Sequence, residues 1–331
     1  MTNFPLLKLP YLALHEVMKM MMPIAIFKLA MCSFQIESFL RHRKYRAIGI
    51  CIFLRNKSSR LDIRHSDGWQ SIVFKSATSH LSEVPLRLPI RYTRENDKFM
   101  YLTHENFDEI FDIQRSLCAI CHLPFTTLYI DESLHGRFFH ILNKVLKTEY
   151  TRLTLIGGRL SASMLKEVMN KVPTTKYLTI GSDIPSDFDH PNALKYFDNS
   201  FNDARWVKLE SLFSIRNVHI VVLERTTFDC SDLNKFLRYW VDCDAFMLRR
   251  LDIGLNDGAV YDKAVITDQL TTANYFVGFP VIFMKSKKDA GQKYVLGRLE
   301  LRRPFVVFST WDPNEDNSDV FQVLMEKEKN V

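Results

Sequence analysis

The first residues whose types and spacing suggest chemistry are Cys118-Ala-Ile-Cys121-His122. C-x-x-C-H is the pattern of covalent haem attachment and also half of a zinc site. Haem attachment needs an exported compartment. Zinc needs two further ligands at similar spacing, and no second Cys-x-x-Cys supplies them. His135 and His140 fall into no metal pattern with these cysteines. Ile113, Leu117, Ile120 and Cys121 instead recur at i, i+4, i+7 and i+8, the stripe of a helix facing a core. The motif is read as packing, and neither a metal nor a cofactor is expected.

Ile156-Gly157-Gly158 invites a phosphate-loop reading. It lacks G-x-G-x-x-G and has no Lys-Ser/Thr at the following helix start, so a tight turn is expected. Asp187, Asp189 and His190 read as an exposed loop between Pro185 and Pro191. No Ser-His-Asp order, nucleophile elbow or carboxylate pair stands out, so a non-catalytic protein is expected. Trp206, Tyr239, Trp240 and Phe276 could anchor a partner by type but read as core by position.

These residues sit on elements of changing character. Leu6 to His42 reads as three short helices. Leu14, Val17, Met18 and Met21 form one face, Pro23 starts the second helix, and Ile36, Phe39 and Leu40 lie on the third. Such helices make a poor core alone and look built to pack on something else. Ile48–Leu54, Leu61–Ile63 and Ile72–Phe74 follow as an antiparallel meander with a turn at Asp67-Gly68. From Phe107 on, strands alternate with helices. Leu128-Tyr-Ile130, Leu153-Thr-Leu155 and Leu178-Thr-Ile180 recur every 25 residues (positions 128, 153 and 178), followed by Val218-His-Ile220 and Leu251-Asp-Ile253. Ser161 or Ser163 can cap a helix bearing Leu165, Val168, Met169 and Val172. Ser231 can cap one bearing Leu233, Phe236, Leu237 and Trp240. The reading is an irregular, leucine-rich-repeat-like α/β sheet, mostly parallel. Tyr294–Leu301 and Phe305–Phe308 add two strands, Lys285 to Lys288 with Gly291 read as an exposed loop, and 311–331 as a flexible tail.

Composition bounds the classes. The 331 residues are 47% apolar with a formal net charge of +6, enough for about two packed domains and too apolar for a disordered chain. Met20 to Phe27 is stopped by Lys28, far short of the roughly 20 residues that cross a bilayer. Without export or membrane signals, the cytoplasm or nucleus is expected, with free thiols at Cys32, Cys51, Cys118, Cys121, Cys230 and Cys243. The densest basic cluster, Arg41, Arg43, Lys44 and Arg46, reads as a solvated helix end. Nucleic-acid binding asks for a longer basic face with interleaved aromatics, so nucleic acid is not expected as a partner.

One resemblance gives these elements a role. Leu9-Pro10, Leu14, Val17, Met21, Pro23, Ile26, Phe27 and Leu29 match, at the family's spacing, the F-box. Asp229-Cys-Ser-Asp-Leu-Asn-Lys-Phe-Leu-Arg-Tyr-Trp240 and Leu248–Ile253 resemble the F-box-associated domain of type 2. Met22, Ala25, Ala30 and Phe34-Gln35 depart from the polar positions of the F-box pattern. The resemblance implies an F-box over residues 3–45, a substrate-recognition domain over 46–310 (most recognisable over 175–255), and the tail. It implies an adaptor of an SCF-type ubiquitin ligase. Leu9, Pro10, Leu14, Val17, Met21, Pro23, Ile26, Phe27 and Leu29 would dock on a Skp-family linker. That linker joins a cullin, and the second domain captures a protein target of unknown identity. The alternatives are an interaction module whose F-box does not dock, or a weak nucleic-acid binder using Arg41–Arg46 and Lys285–Lys288.

Overall fold

The structure is a computed structural model. It describes residues 6–43, 45–56, 58–65, 68–75, 91–95, 98–102, 107–256, 258–277, 279–286, 295–302 and 304–311. The chain is mixed α/β and divides into two compact units, Met1–Thr154 and Leu155–Val331.

The first unit begins with three short helices, α1 (Tyr11–Lys19), α2 (Pro23–Cys32) and α3 (Phe34–Arg43). Pro10 stands at the N-cap of α1 and Pro23 at the first position of α2, where proline's missing N–H leaves no bond unmade. There follow β1 (Tyr45–Arg46), β2 (Gly49–Leu54), β3 (Ser58–His65), β4 (Gly68–Lys75), β5 (Arg91–Glu95) and β6 (Lys98–Leu102). The unit continues with α4 (Phe107–Ile120), β7 (Cys121–His122), β8 (Thr126–Asp131) and α5 (Phe138–Val145). Its sheet runs β8-β2-β3-β4-β6-β5. The β2–β3, β3–β4 and β5–β6 pairs are antiparallel, and β2–β8 and β4–β6 are parallel. Alternation sets the two faces. Ile50, Ile52, Leu54, Leu61, Ile63, Ile72, Phe74, Leu128 and Ile130 are buried on one of them. The helices close that face: the Ile24 backbone N–H of α2 donates to Gln70 Oε1 of β4 (3.0 Å), in register with Ile63.

The second unit contains α6 (Ala162–Lys171), β10 (Tyr177–Ile180), β11 (Asp198–Asp203), α7 (Leu209–Phe213), β12 (Val218–Arg225), α8 (Cys230–Asp242) and β13 (Leu248–Gly254). It ends with α9 (Lys263–Ile266), β14 (Thr272–Val277), β15 (Phe279–Lys285), β16 (Leu296–Arg302) and β17 (Phe305–Trp311). The strand β9 (Arg152–Ile156) carries the division between the units. Strands β10 to β13 are parallel neighbours, and β17, β16, β15 and β14 follow antiparallel in that order. The apolar stripes of α6 (Leu165, Val168, Met169) and α8 (Leu233, Phe236, Leu237, Trp240) are buried, and Phe236 and Trp240 meet Phe308 of β17 edge-on. Ala273, Val281, Phe283 and Leu296 form a smaller cluster roofed by Trp311.

Several sequence expectations are corrected. The strand β11 has no counterpart in the sequence reading, because Phe201 is its one large apolar residue and its other buried positions are Asn199 and Asp203. The cap of α8 is Asp229, not Ser231. Its carboxylate accepts from the Asp232 N–H (2.9 Å), and Asp232 accepts in return from the Asp229 N–H (3.4 Å), a capping box. Of the two serines offered for α6, Ser161 is the cap and accepts from the Met164 N–H at 3.2 Å. Lys285 is no loop residue: it ends β15 and is buried. Trp311 closes β17 and belongs to no tail. The rest of the expected tail lies outside the described residues, as do Lys287, Lys288 and Gly291.

Candidate docking surface and other sites

The three N-terminal helices are short, and their sequence makes them apolar on more than one side. In α1, Leu14 and Met18 turn inward, four residues apart. Leu12, Glu16 and Met20 occupy i, i+4 and i+8 on another face, where Leu12 is 73% and Met20 87% exposed. Helix α2 buries Pro23, Ile24, Ile26, Phe27 and Ala30. Helix α3 buries Ile36 and Leu40 and leaves Phe34 65% exposed at its start. Tyr11 packs edge-on against Phe39 (centroids 5.1 Å), and Arg43 lies over the Tyr11 ring, its Nε donating to the hydroxyl. The Tyr45 hydroxyl donates to the Met21 carbonyl (3.1 Å), which fixes the turn between α1 and α2.

The residues singled out from the F-box resemblance divide into two groups. Leu14, Pro23, Ile26 and Phe27 are buried in the chain's own core, with Ile26 at 0% exposure. Leu9, Val17, Met21 and Leu29 are half-buried, and Pro10 is exposed. Sequence reasoning missed the large apolar side chains most open to solvent here: Tyr11, Leu12, Met20, Met22 and Phe34. The signal was present in the i, i+8 pair Leu12 and Met20, a second apolar line on a helix already supplied with one.

The residues weighed for chemistry are spread over several elements. Cys118 lies half-buried on α4 and Cys121 buried on β7, where burial foremost pushes its thiol up to about 12. None of the six cysteines is joined in a disulfide. Among the described residues, no three His, Cys, Asp or Glu side chains come together as a metal site. His140 is exposed on α5, and the side chain of His135 lies outside the described residues. Gly157 and Gly158 take φ of 82° and 47°, the left-handed turn that glycine tolerates. Trp206 is buried, its indole N–H donating to the Asp203 carbonyl (2.9 Å). Trp240 is buried too, Tyr239 stacks on Phe213, and the side chain of Phe276 lies outside the described residues. No helix among the described residues is long and apolar enough to cross a membrane.

A cleft of about 320 Å³ opens between the loop at Asp189–Lys195 and α7, lined by His190, Trp206, Lys208 and Glu210 among others. His190 Nδ1 accepts from the Asn192 N–H (3.2 Å), so the ring proton sits on Nε2 and is donated to Asn170 Oδ1 (3.1 Å). Burial, then the charge of Lys166, holds its pKa below the ordinary value. Both nitrogens are engaged by the chain itself, which leaves neither as a base toward a ligand. Asp187 and Asp189 are exposed.

The comparisons with known proteins can be set beside this geometry. The "Skn-1 dependent zygotic transcript 15 protein" of Caenorhabditis elegans is 22% identical over 276 residues, 76% of this chain and 79% of that protein. The "Uncharacterized protein F59B2.9" of the same organism is 22% identical over 261 residues, 72% of this chain and 59% of that protein. No protein-family model matches the chain. No solved structure matches it. Because 76% of the chain is more than either compact unit, the first similarity extends into both.

Proposed function

We propose that this chain is a non-catalytic adaptor of an SCF-type ubiquitin ligase. Its three N-terminal helices are an F-box that docks on a Skp-family linker, which joins it to a cullin. The remainder, with its irregular leucine-rich-repeat-like strands and helices, binds a protein target. Such an adaptor works in the cytoplasm or nucleus. The observation that carries the reading is the solvent exposure of Leu12, Met20 and Phe34, with Tyr11 and Met22, on helices whose sequence matches the F-box pattern. Large apolar side chains gathered in one short stretch of chain mark a surface that a partner covers. Apolar and aromatic anchors at the centre of an interface carry most of its binding energy. Leu9, Pro10, Val17, Met21 and Leu29, which also reach the surface, would widen that contact. Leu14, Pro23, Ile26 and Phe27 would act indirectly by holding the helices in place.

The test is co-expression of the full chain with a Skp-family linker. Stable co-purification supports the adaptor. A folded chain that elutes alone at micromolar concentrations of both proteins overturns it.

A further inference from the structure

The sheet of the first unit has a second face, opposite the helices, and its rows can be read directly from the register. One row runs Val73, Arg60, Phe53, Tyr129 across β4, β3, β2 and β8. The next row along the strands is Ser71, Asp62, Cys51, Thr127. The third is Trp69, Arg64, Gly49, ending at Phe125 just before β8. The outer rows are bulky and the middle one is short. The face is therefore a trough crossing the strands, its rims about 13 Å apart at ~3.3 Å per residue.

Each rim sets one guanidinium group beside aromatic rings. On one, Phe53 stacks on Tyr129 (centroids 4.3 Å, 8° between planes) and carries Arg60 4.5 Å from its centroid. On the other, Arg64 lies 5.6 Å from the Trp69 centroid. Trp69 and Phe125, at opposite ends of this rim, are 54% and 52% exposed. Gly49 brings no side chain to the row and Phe125 packs onto it: an atom placed at the Gly49 Cβ would sit 2.7 Å from the Phe125 carbonyl oxygen and 3.3 Å from its Cβ. The floor offers hydrogen-bonding groups. The Asp62 carboxylate is held 2.9 Å from Arg60 Nε, and its other oxygen is buried with no hydrogen-bond partner among the described residues.

We propose that this trough binds single-stranded nucleic acid. The arrangement of charge selects it over an acidic peptide. Of these three rows the one carboxylate, Asp62, lies in the floor and the arginines lie on the rims, while Asp131, one step beyond Tyr129, is paired with Arg55. This favours a ligand that carries its negative charge along the rims and neutral, donor-bearing groups inward. A nucleotide strand is divided in that way, with phosphates outside and bases inside. An acidic peptide directs alternate carboxylates at Asp62. Exposed rings such as Trp69 and Phe125 add a stacking surface that a base can use and a carboxylate cannot, and basic grooves with aromatic platforms recognise single strands through that pairing. The overall formal charge of +6 favours the same partner. This inference does not rest on the docking of the N-terminal helices.

The experiment is fluorescence anisotropy of the full chain with labelled mixed-sequence RNA and DNA of roughly ten nucleotides, within the usual single-strand site size. Trp69→Ala, Phe125→Ala and Arg64→Gln are compared with the parent chain, all three positions being exposed and each variant checked for an unchanged melting curve. Single strands should bind in preference to a duplex, with a log–log salt slope of about −1 to −2 for two contacting arginines. Each ring variant should weaken binding about ten-fold. Absence of binding at low salt, variants that bind as the parent does, or displacement by polyglutamate as readily as by unlabelled strand would each overturn the proposal. The last outcome assigns the face to acidic peptides.

Discussion

Trp240 lies directly over Gly297: an atom placed at the Cβ position of Gly297 would sit 2.9 Å from Trp240 Cη2 and 2.7 Å from Phe308 Cε2. The last turn of α8 approaches β16 so closely that the sheet has to omit a side chain there. The indole, 5% exposed, occupies the vacated space and meets Phe308 edge-on with centroids 4.9 Å apart. Neither ring is the far end of a flexible chain, so neither yields cheaply. Gly297→Ala should cost about 1–3 kcal/mol as overpacking, measured as a lower urea midpoint with an unchanged slope. A neutral or stabilising result would mean that α8 can slide on the sheet.

Asp203 ends β11 with a fully buried side chain. Its oxygens accept from Arg205 Nε and NH2 (both 2.8 Å) and from the Ile184 N–H (3.4 Å). Burial is the largest single influence and raises its pKa, but the Arg205 hydrogen bond, the Ile184 N–H and the charge of Arg205 together prevail and lower it. A lowered folded-state pKa stabilises the fold at pH above the unfolded value of about 3.8. That stabilisation is lost as pH falls through the folded value. The melting temperature of the parent chain should therefore fall more steeply below about pH 4 than that of Asp203→Asn, and the two curves should converge in acid. Parallel curves would show that Asp203 does not titrate with folding.

The two hydroxyl and carboxylate residues at the start of α8 separate cap from bystander. Asp229→Ala should cost about 1 kcal/mol by removing one half of the capping box. Ser231→Ala, at an exposed position inside the first turn, should stay within about 0.5 kcal/mol. Chemical denaturation of both variants decides between Asp229 and the serine that the sequence alone suggested.

What the sequence disclosed and withheld follows physical lines. The strands with Leu-x-Leu or Leu-x-Ile cores, at Leu128, Leu153, Leu178 and Leu251, were legible because the burial alternation is written in apolar residues. Strand β11 was not, because Asn199 and Asp203 are buried by hydrogen bonds: Asn199 Nδ2 donates to the Tyr196 carbonyl (2.8 Å), and Asp203 holds Arg205. The turn at Gly157-Gly158 was legible from two glycines alone. Tyr129 lies far from Phe53 and Arg60 in sequence, and only the pairing of β2 with β8 brings it into their row. The sequence reading asked a nucleic-acid binder for a longer basic face with interleaved aromatics, and a row shared among strands is not visible along the chain.

The N-terminal helices give the sharpest separation between folding and docking. Ile26 is 0% exposed on α2, so Ile26→Ala removes buried methylenes and should cost about 2–5 kcal/mol of stability. Loss of linker binding by that variant would follow from loosened helices and would say nothing about contact. Leu12 and Met20 are 73% and 87% exposed, so Leu12→Ala/Met20→Ala should leave the unfolding midpoint within about 0.5 kcal/mol of the parent. If these side chains are anchors, the double variant should lose roughly 2 kcal/mol or more of linker affinity, since truncated anchors commonly cost that much. In a titration this is about a thirty-fold rise in Kd. Undiminished binding by a folded double variant would remove this face from the interface. The docking contact would then have to run through Leu9, Val17, Met21 and Leu29, which the same titration on their alanine variants would expose.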